Sequence, residues 1–352
     1  MMHISPLVLA VCSLLAIAAT YCGTAFIRRW AAQRLLDVPN ERSSHKQPTP
    51  RGGGLAIVVC TLTGLWGICF GLDRDFPLGP LLTYSLGAVC IATVSWCDDL
   101  WSLSNKVRFL AHAIGAVLIL LCLTNALPVR LPFLGNVALQ GLGGVLVFLW
   151  IAGFTNAYNF MDGIDGIAGG QAVIAGVAWV GLGWWGGAPL LSVLGALVAS
   201  SSLGFLGHNW PPARIFMGDV GSAFLGYTFA VMAVFGYLAH PRLFLAGVLV
   251  VWPFVFDTAF TLLRRLRRRE NIFLAHRSHL YQRLIIVGYS HRFVTAAYLG
   301  LALCGVLFAW VWSLSPNVAT WTIASSLGVL CFGLWQWVIQ AEVRALSCKT
   351  IL

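Results

Sequence analysis

Long apolar runs broken by short polar segments repeat along almost the whole chain. An α-helix rises about 1.5 Å per residue, so roughly 20 consecutive apolar residues are enough to cross a bilayer. Such runs occupy residues 5–27, 53–71, 77–97, 108–126, 138–156, 167–186, 188–207, 221–239, 243–263, 293–313 and 317–340. The pattern predicts an all-α, polytopic integral membrane protein with about 11 transmembrane helices, organised as a single transmembrane domain over residues 1–352. The first run lacks a basic leading segment and is too long for the core of a secretory signal, so it reads as a retained first span.

Composition agrees. With 59% hydrophobic and 10% charged residues, the chain lies outside the range of soluble globular proteins. Its net charge of +10 is concentrated on one side. Of 22 Lys and Arg residues, all but Arg74, Arg130 and Arg242 fall in the odd-numbered connections or the C-terminal tail. Positive residues collect in cytoplasmic loops, which predicts an external (periplasmic) N-terminus and a cytoplasmic C-terminus. The charge is therefore a topology signal and an attraction to anionic lipid or phosphate, with no call for nucleic acid. The ten cysteines include no CxxC pair and mostly sit in apolar runs, where cysteine acts as a small hydrophobe, so no disulfide framework or zinc site is expected.

The candidate chemistry lies in the polar segments on the predicted cytoplasmic side, at about 28–52, 98–107, 156–167, 208–220 and 264–292. In Asn156-Ala157-Tyr158-Asn159-Phe160-Met161-Asp162-Gly163-Ile164-Asp165-Gly166, polar residues recur every third position. Each step advances about 300° around a helix, so Asn156 and Asp165 would point apart unless the helix ends between them. Gly163 and Gly166 supply that ending. A helix running into a tight acidic loop would bring carboxylate and carboxamide oxygens together, a donor set suited to a hard cation such as Mg²⁺. Asp98 and Asp99 close the third span, and two adjacent carboxylates repel unless a cation intervenes or one is protonated. Lys106, just beyond, offers a point charge to a phosphate, and Asp219 stands between Gly218 and Gly221 before the eighth span. A basic segment with Lys46 ends in Gly52-Gly53-Gly54, and His276-Arg277-Ser278-His279 lies in the longest loop, where His and Arg can donate to a diphosphate. Asp257, inside the ninth span, reads as a structural ion-pair member with Arg264 or a residue of another span. Transporters place ionisable groups near the bilayer midplane, whereas these acids cluster at span ends, which argues for an enzyme.

Together these motifs resemble the polyprenyl-phosphate N-acetylhexosamine-1-phosphate transferases, the glycosyltransferase family 4 superfamily that contains WecA and MraY, and most of all its WbpL-like O-antigen-initiating branch. The resemblance runs from Asp37 to about Arg283 and rests on the Asp98-Asp99 pair, the block from Asn156 to Gly166, Phe216-Met217-Gly218-Asp219-Val220-Gly221-Ser222, and the His276–His279 segment. It implies transfer of an N-acetylhexosamine-1-phosphate from a UDP-sugar to undecaprenyl (polyprenyl) phosphate with release of UMP, using Mg²⁺ or Mn²⁺, at the cytoplasmic face of a bacterial inner membrane. By the same resemblance, Asp219 would be a metal ligand, and Asp98 and Asp99 would be catalytic, with Asp98 deprotonating or positioning the lipid phosphate. Asn156, Asn159, Asp162 and Asp165 would shape the metal and nucleotide site, and Asn209 would contact nucleotide or sugar. Arg277, His276 and His279 would engage the diphosphate, with Lys46 and Lys106 adding positive charge. His276-Arg277-Ser278-His279 replaces the three consecutive histidines of the muramoyl-pentapeptide branch, which argues against that substrate. The choice of UDP-N-acetylhexosamine, and whether the protein pairs as a homodimer, stay open.

Overall fold

The computed structural model describes residues 5–39, 47–71, 78–123, 129–131, 135–137, 142–271, 274 and 276–349. They form α1 (Pro6–Ala31), α2 (Gly54–Gly71), α3 (Leu78–Trp101), α4 (Asn105–Cys122), α5 (Leu142–Phe160), α6 (Ile167–Trp185), α7 (Pro189–Asn209), α8 (Asp219–Ala239), α9 (Arg242–Val250), α10 (Trp252–Arg267), α11 (Leu280–Ile286), α12 (His291–Leu314) and α13 (Pro316–Lys349). Ten of these helices are long and apolar enough to cross a membrane, and α9 with α10 makes an eleventh if the bent pair is one span. The protein is an all-α polytopic membrane protein, as its apolar pattern predicts. Strand pairing is confined, among the described residues, to β1 (Leu36–Asp37) with β2 (Thr49–Pro50) and β3 (Val129–Leu131) with β4 (Gly135–Val137).

A helix that is apolar all round belongs in the middle of a bundle. α8 is that helix: from Val220 to Gly236 every residue is buried. It packs against α3, α5 and α9, while α6 and α7 lie tightly against each other and α1 covers α7. The outer helices turn Leu14, Phe26, Leu121, Leu307 and Val329 outward, as expected of surfaces that face lipid rather than water.

Two departures from the apolar pattern have local causes. The ninth run does not form one helix; it breaks between α9 and α10 with a bend of 75°. Pro253 stands at the start of α10 and has no N–H to continue the ladder from α9, so the chain restarts in a new direction. The fifth helix continues to Phe160, a full turn past the end of its apolar run, because its last turn is embedded in protein: Ala157 and Tyr158 are buried there. That extra turn carries Asn159 toward the start of α8.

The glycine triplet fixes α2 against that same start. Gly53 N–H donates to Phe216 O at 3.0 Å and Gly54 N–H to Met217 O at 2.8 Å, while Phe216 N–H donates to Pro50 O at 2.8 Å. A Cβ on Gly54 would lie 2.4 Å from the Gly221 Cα, so the two backbones meet only because both residues lack side chains.

Candidate active site

The ends of α3, α5 and α8 converge with the start of α4 at one end of the bundle. Asp99, buried at the end of α3, turns its carboxylate onto the first turn of α8, where Asp219 N–H and Val220 N–H each donate to it at 3.1 Å. The first backbone N–H groups of a helix have no intrahelical acceptor and carry the positive end of its dipole, so a carboxylate there is favourable. Gly218, at φ +76°, makes room for it; a Cβ there would fall 2.6 Å from Asp99 Oδ2. The Asp99 carbonyl in turn accepts a hydrogen bond from Arg51 Nη2. Asp99 is thus the residue that sets Asp219 in place. Both of its carboxylate oxygens accept from the α8 backbone in this arrangement.

Asp98, one position earlier, points elsewhere. Its Oδ1 accepts from Leu103 N–H at 2.5 Å and its Oδ2 from Arg108 Nη1 at 3.0 Å. The same Arg108 nitrogen donates to Asp219 Oδ2 at 2.8 Å, so one guanidinium joins the carboxylates of two motifs. Asn159 Nδ2 also donates to Asp219 Oδ2, at 3.2 Å, and its Oδ1 accepts from Ser222 Oγ at 2.5 Å. Asn156 lies half-buried one turn earlier on α5.

The acidic loop follows directly. α5 stops at Phe160 and Gly166, at φ +77°, begins α6, so the helix ends where the glycines predict. Asp162 lies in the loop, and desolvation first, then the carboxylates of Asp219, Asp99 and Asp165, push its pKa well above the usual carboxylate range. Asp165 is turned away from the cluster. Its Oδ2 accepts from Ala213 N–H at 3.0 Å and its Oδ1 lies 3.2 Å from His291 Nδ1, which ties the loop to the segment after α7 and to α12. Asn209 is likewise a bracket: its Oδ1 accepts from Gly166 N–H and its Nδ2 donates to Ile215 O, both at 2.9 Å, and it is buried. Backbone groups and a neighbouring ring take up polar atoms of both Asn209 and Asp165, which positions the loop.

The histidine segment approaches from the other side. His279 caps α11 and is buried; its Nδ1 lies 3.2 Å from Asp257 Oδ1, and among the described residues its Nε2 has no hydrogen-bond partner. Asp257 also accepts from Leu280 N–H, Tyr281 N–H and the Tyr298 hydroxyl, at 2.8, 3.1 and 2.6 Å. Its partner is thus His279; Arg264, one of the partners considered, instead donates to Ser278 O at 2.6 Å. Tyr281 OH donates to Phe160 O at 2.9 Å, docking α11 on the end of α5 beside the acidic loop. His276 lies with its ring 5.0 Å from that of His279, and its Nδ1 is 2.9 Å from Ser278 Oγ. Burial, then the charges of His279 and Arg265, lower the His276 pKa to about 4, so at neutral pH it is an uncharged imidazole rather than a cation. Arg277 is half-buried between them in sequence. Lys106 is exposed on the first turn of α4, and Lys46 lies outside the described residues.

The residues brought together are therefore Asp98, Asn159, Asp162 and Asp219, with His276 and His279 nearby. Sequence reasoning assigned no site role to Arg51, Arg108 or Ser222, and placed Asp257 in a structural ion pair without naming His279 as its partner. A cue existed for Arg108: it lies ten residues past Asp98, on the far side of a short turn, where a long side chain can reach back. Among the described residues no three His, Cys, Asp or Glu side chains form a ready-made metal cage. Mg²⁺ does not require one, since it keeps several waters and is commonly held by one or two carboxylates plus substrate phosphates. The hard oxygens of Asp219 and Asp162, beside Asn159, fit that mode, and the crowding of negative charge around Asp162 favours a cation there.

Comparison with known proteins follows the same motifs. The family model for glycosyl transferase family 4 matches residues 81–237, from α3 through most of α8. A probable undecaprenyl-phosphate N-acetylglucosaminyl 1-phosphate transferase of Bacillus subtilis (strain 168) is 34% identical over 260 residues, 73% of this chain and 71% of the relative. The decaprenyl-phosphate N-acetylglucosaminephosphotransferase of Mycobacterium tuberculosis (strain ATCC 25618 / H37Rv) is 32% identical over 320 residues, 81% and 77% of the two chains. A phospho-N-acetylmuramoyl-pentapeptide-transferase of Synechococcus sp. (strain JA-3-3Ab) is 29% identical over 301 residues, 81% and 86% respectively.

Proposed function

The chain belongs to glycosyl transferase family 4, and from that premise we propose that it transfers N-acetylhexosamine-1-phosphate from a UDP-sugar to undecaprenyl or another polyprenyl phosphate. The products are a polyprenyl-diphosphate-linked sugar and UMP. The observation that carries this reading is the convergence of Asp98, Asn159 and Asp219, from three separate motifs, at one end of the bundle: Asn159 donates directly to Asp219, and Arg108 bridges Asp219 to Asp98.

Phosphoryl transfer asks little covalent chemistry of a protein; it asks for alignment and for neutralisation of spreading negative charge. An oxygen of the lipid phosphate attacks the sugar-linked phosphorus. A new P–O bond forms, the bond to the bridging oxygen breaks, and its electron pair leaves with UMP. Asp98 stands where it can orient the incoming phosphate or take its proton. We take direct attack as the route, with Asp98 held by Leu103 and Arg108 as a positioning or proton-accepting group. Asp219 and Asp162, with Asn159 alongside, would hold Mg²⁺ or Mn²⁺, which when bound neutralises diphosphate charge. His279, fixed through Asp257, and Arg277 would meet the donor diphosphate from the opposite side. Because the positive residues gather at this end, we place the site at the cytoplasmic face of a bacterial inner membrane. There the product would begin an O-antigen or related envelope glycan.

The test is transfer of radiolabelled sugar phosphate from a panel of UDP-N-acetylhexosamines to polyprenyl phosphate by the purified full-length protein, with and without Mg²⁺. Metal-dependent lipid-linked product from the wild type, with loss of about 100-fold or more in Asp219→Asn, supports the reading. Folded wild-type protein that makes no product from any donor would overturn it.

A further inference from the structure

Two basic side chains follow the aspartate pair, and the fold treats them differently. Lys106 and Arg108 are two residues apart on α4, about 200° around the helix axis. They cannot face the same way. Lys106 is exposed, whereas Arg108 turns toward the ends of α3 and α8 and is only 28% exposed at its side chain. Its Nη1 reaches Asp98 Oδ2 and Asp219 Oδ2, and its Nη2 donates to Asn105 Oδ1 at 2.5 Å. A guanidinium has five N–H donors in a rigid planar fork. The contacts named occupy one N–H toward each carboxylate and one toward Asn105. Among the described residues the Nε–H and the second Nη2–H remain without a named acceptor, on a side chain that is anchored and part-exposed.

That arrangement differs from a structural ion pair. A guanidinium whose only task was to neutralise two carboxylates could be wholly enclosed by them, while here the group lies between the carboxylate assigned to the acceptor phosphate and the one assigned to the metal. We propose that Arg108 is a further catalytic residue, which presents its remaining N–H donors to the oxygens of the phosphoryl group in transit. The proposal rests on the transferase reading of the site. Anchoring by Asp98, Asp219 and Asn105 fixes the plane of the fork before substrate arrives. Its charge then lies where negative charge spreads as one P–O bond forms and the other breaks, so its contacts strengthen as the reaction proceeds. Lys106, on another face of the helix, serves at most to attract anions.

The experiment uses the full-length protein in detergent, with Arg108→Ala and Arg108→Lys, the transfer assay above, and thermal unfolding of each variant. Arg108→Ala is expected to lower kcat by about 100- to 1000-fold, as for loss of a single preorganised donor, with a much smaller change in KM for the UDP-sugar. Free guanidinium ion, added well below unfolding concentrations, is expected to restore at least about tenfold of that loss, and ammonium is not. Recovery by the missing fragment is a readout that a purely structural role would not produce. Arg108→Lys keeps the charge without the planar fork, is expected to fold, and should remain at least about tenfold slower than wild type. An Arg108→Ala enzyme within about threefold of wild type, a folded Ala variant with no guanidinium recovery, or an Arg108→Lys enzyme at the wild-type rate would each overturn the proposal. Absence of product from the wild type would instead overturn the transferase reading itself.

Discussion

Asp257 and His279 are 22 residues apart in sequence, yet the Asp257 carboxylate, with no exposed surface, lies 3.2 Å from His279 Nδ1. The same carboxylate receives the backbone N–H groups of Leu280 and Tyr281, so it fixes both the ring and the first turn of α11. With Nδ1 turned to Asp257, Nε2 is a buried ring nitrogen with no hydrogen-bond partner among the described residues. Asp257→Asn would set an amide NH₂ among donors that now point at an oxygen. The expected result is a loss of about 1–3 kcal/mol in stability, as for a buried donor left unsatisfied, together with a raised KM for the UDP-sugar. Thermal unfolding and steady-state kinetics check both, and an unchanged KM would separate Asp257 from the donor site.

The contact of α2 with α8 predicts a sharp contrast between two glycines on one helix. Gly54→Ala would drive a Cβ to within 2.4 Å of the Gly221 Cα and is expected to destabilise the protein by about 1–3 kcal/mol or more. Gly67→Ala, also on α2, meets nothing within 4 Å and removes a flexible residue from a helix, so it should be neutral or stabilising by about 0.5–1 kcal/mol. Melting midpoints of the two variants in the same detergent decide the matter. Equal midpoints would contradict the packing described.

His276 makes a pH prediction with a definite sign. Its pKa falls from 6.5 in the unfolded chain to about 4 in the fold, chiefly through burial. Between those values the unfolded chain binds the proton and the folded one does not, so stability must fall as pH drops through that window. Above 6.5 the effect is fully absent. His276→Gln should therefore flatten the fall in melting midpoint between pH 6.5 and 4, and an unaltered profile would contradict a neutral, half-buried His276.

α13 is tied to the same loop. Arg283 Nε and Nη2 donate to the two oxygens of Glu342 at 2.7 and 2.6 Å, a paired geometry that fixes α11 against the last helix. Glu342→Gln keeps the shape and removes the charge that faces the largely buried Arg283, and should raise KM for the UDP-sugar severalfold together with a lowered unfolding midpoint. A lowered midpoint with unaltered KM would assign the pair to stability alone.

Much of this arrangement was legible in the apolar pattern, because a bilayer leaves few ways to satisfy a backbone and the spans must therefore be written as long runs. The break at Trp252-Pro253 was hidden by residues apolar on both sides, although the proline itself marks where a helix ladder must stop. The motifs located the site, but the division of labour within it depended on direction. Asp98 and Asp99 are adjacent in sequence and so point about 100° apart, one toward Arg108 and the other onto α8. Spacing alone assigns both to one role. Asn209 and Asp165 add a related point: a polar residue near a reactive loop is also what a tight loop needs to hold its own backbone.

In the proposed reaction the bond broken lies on the bridge between the two phosphorus atoms, and the sugar-linked phosphorus passes to the lipid. Donor labelled separately in the sugar and in the sugar-linked phosphate, incubated with polyprenyl phosphate, Mg²⁺ and the purified protein, tests it directly. The predicted result is a lipid product carrying both labels in equal amounts, with UMP released in the same quantity and no UDP. Release of UDP, with the sugar label alone on the lipid, would contradict the account.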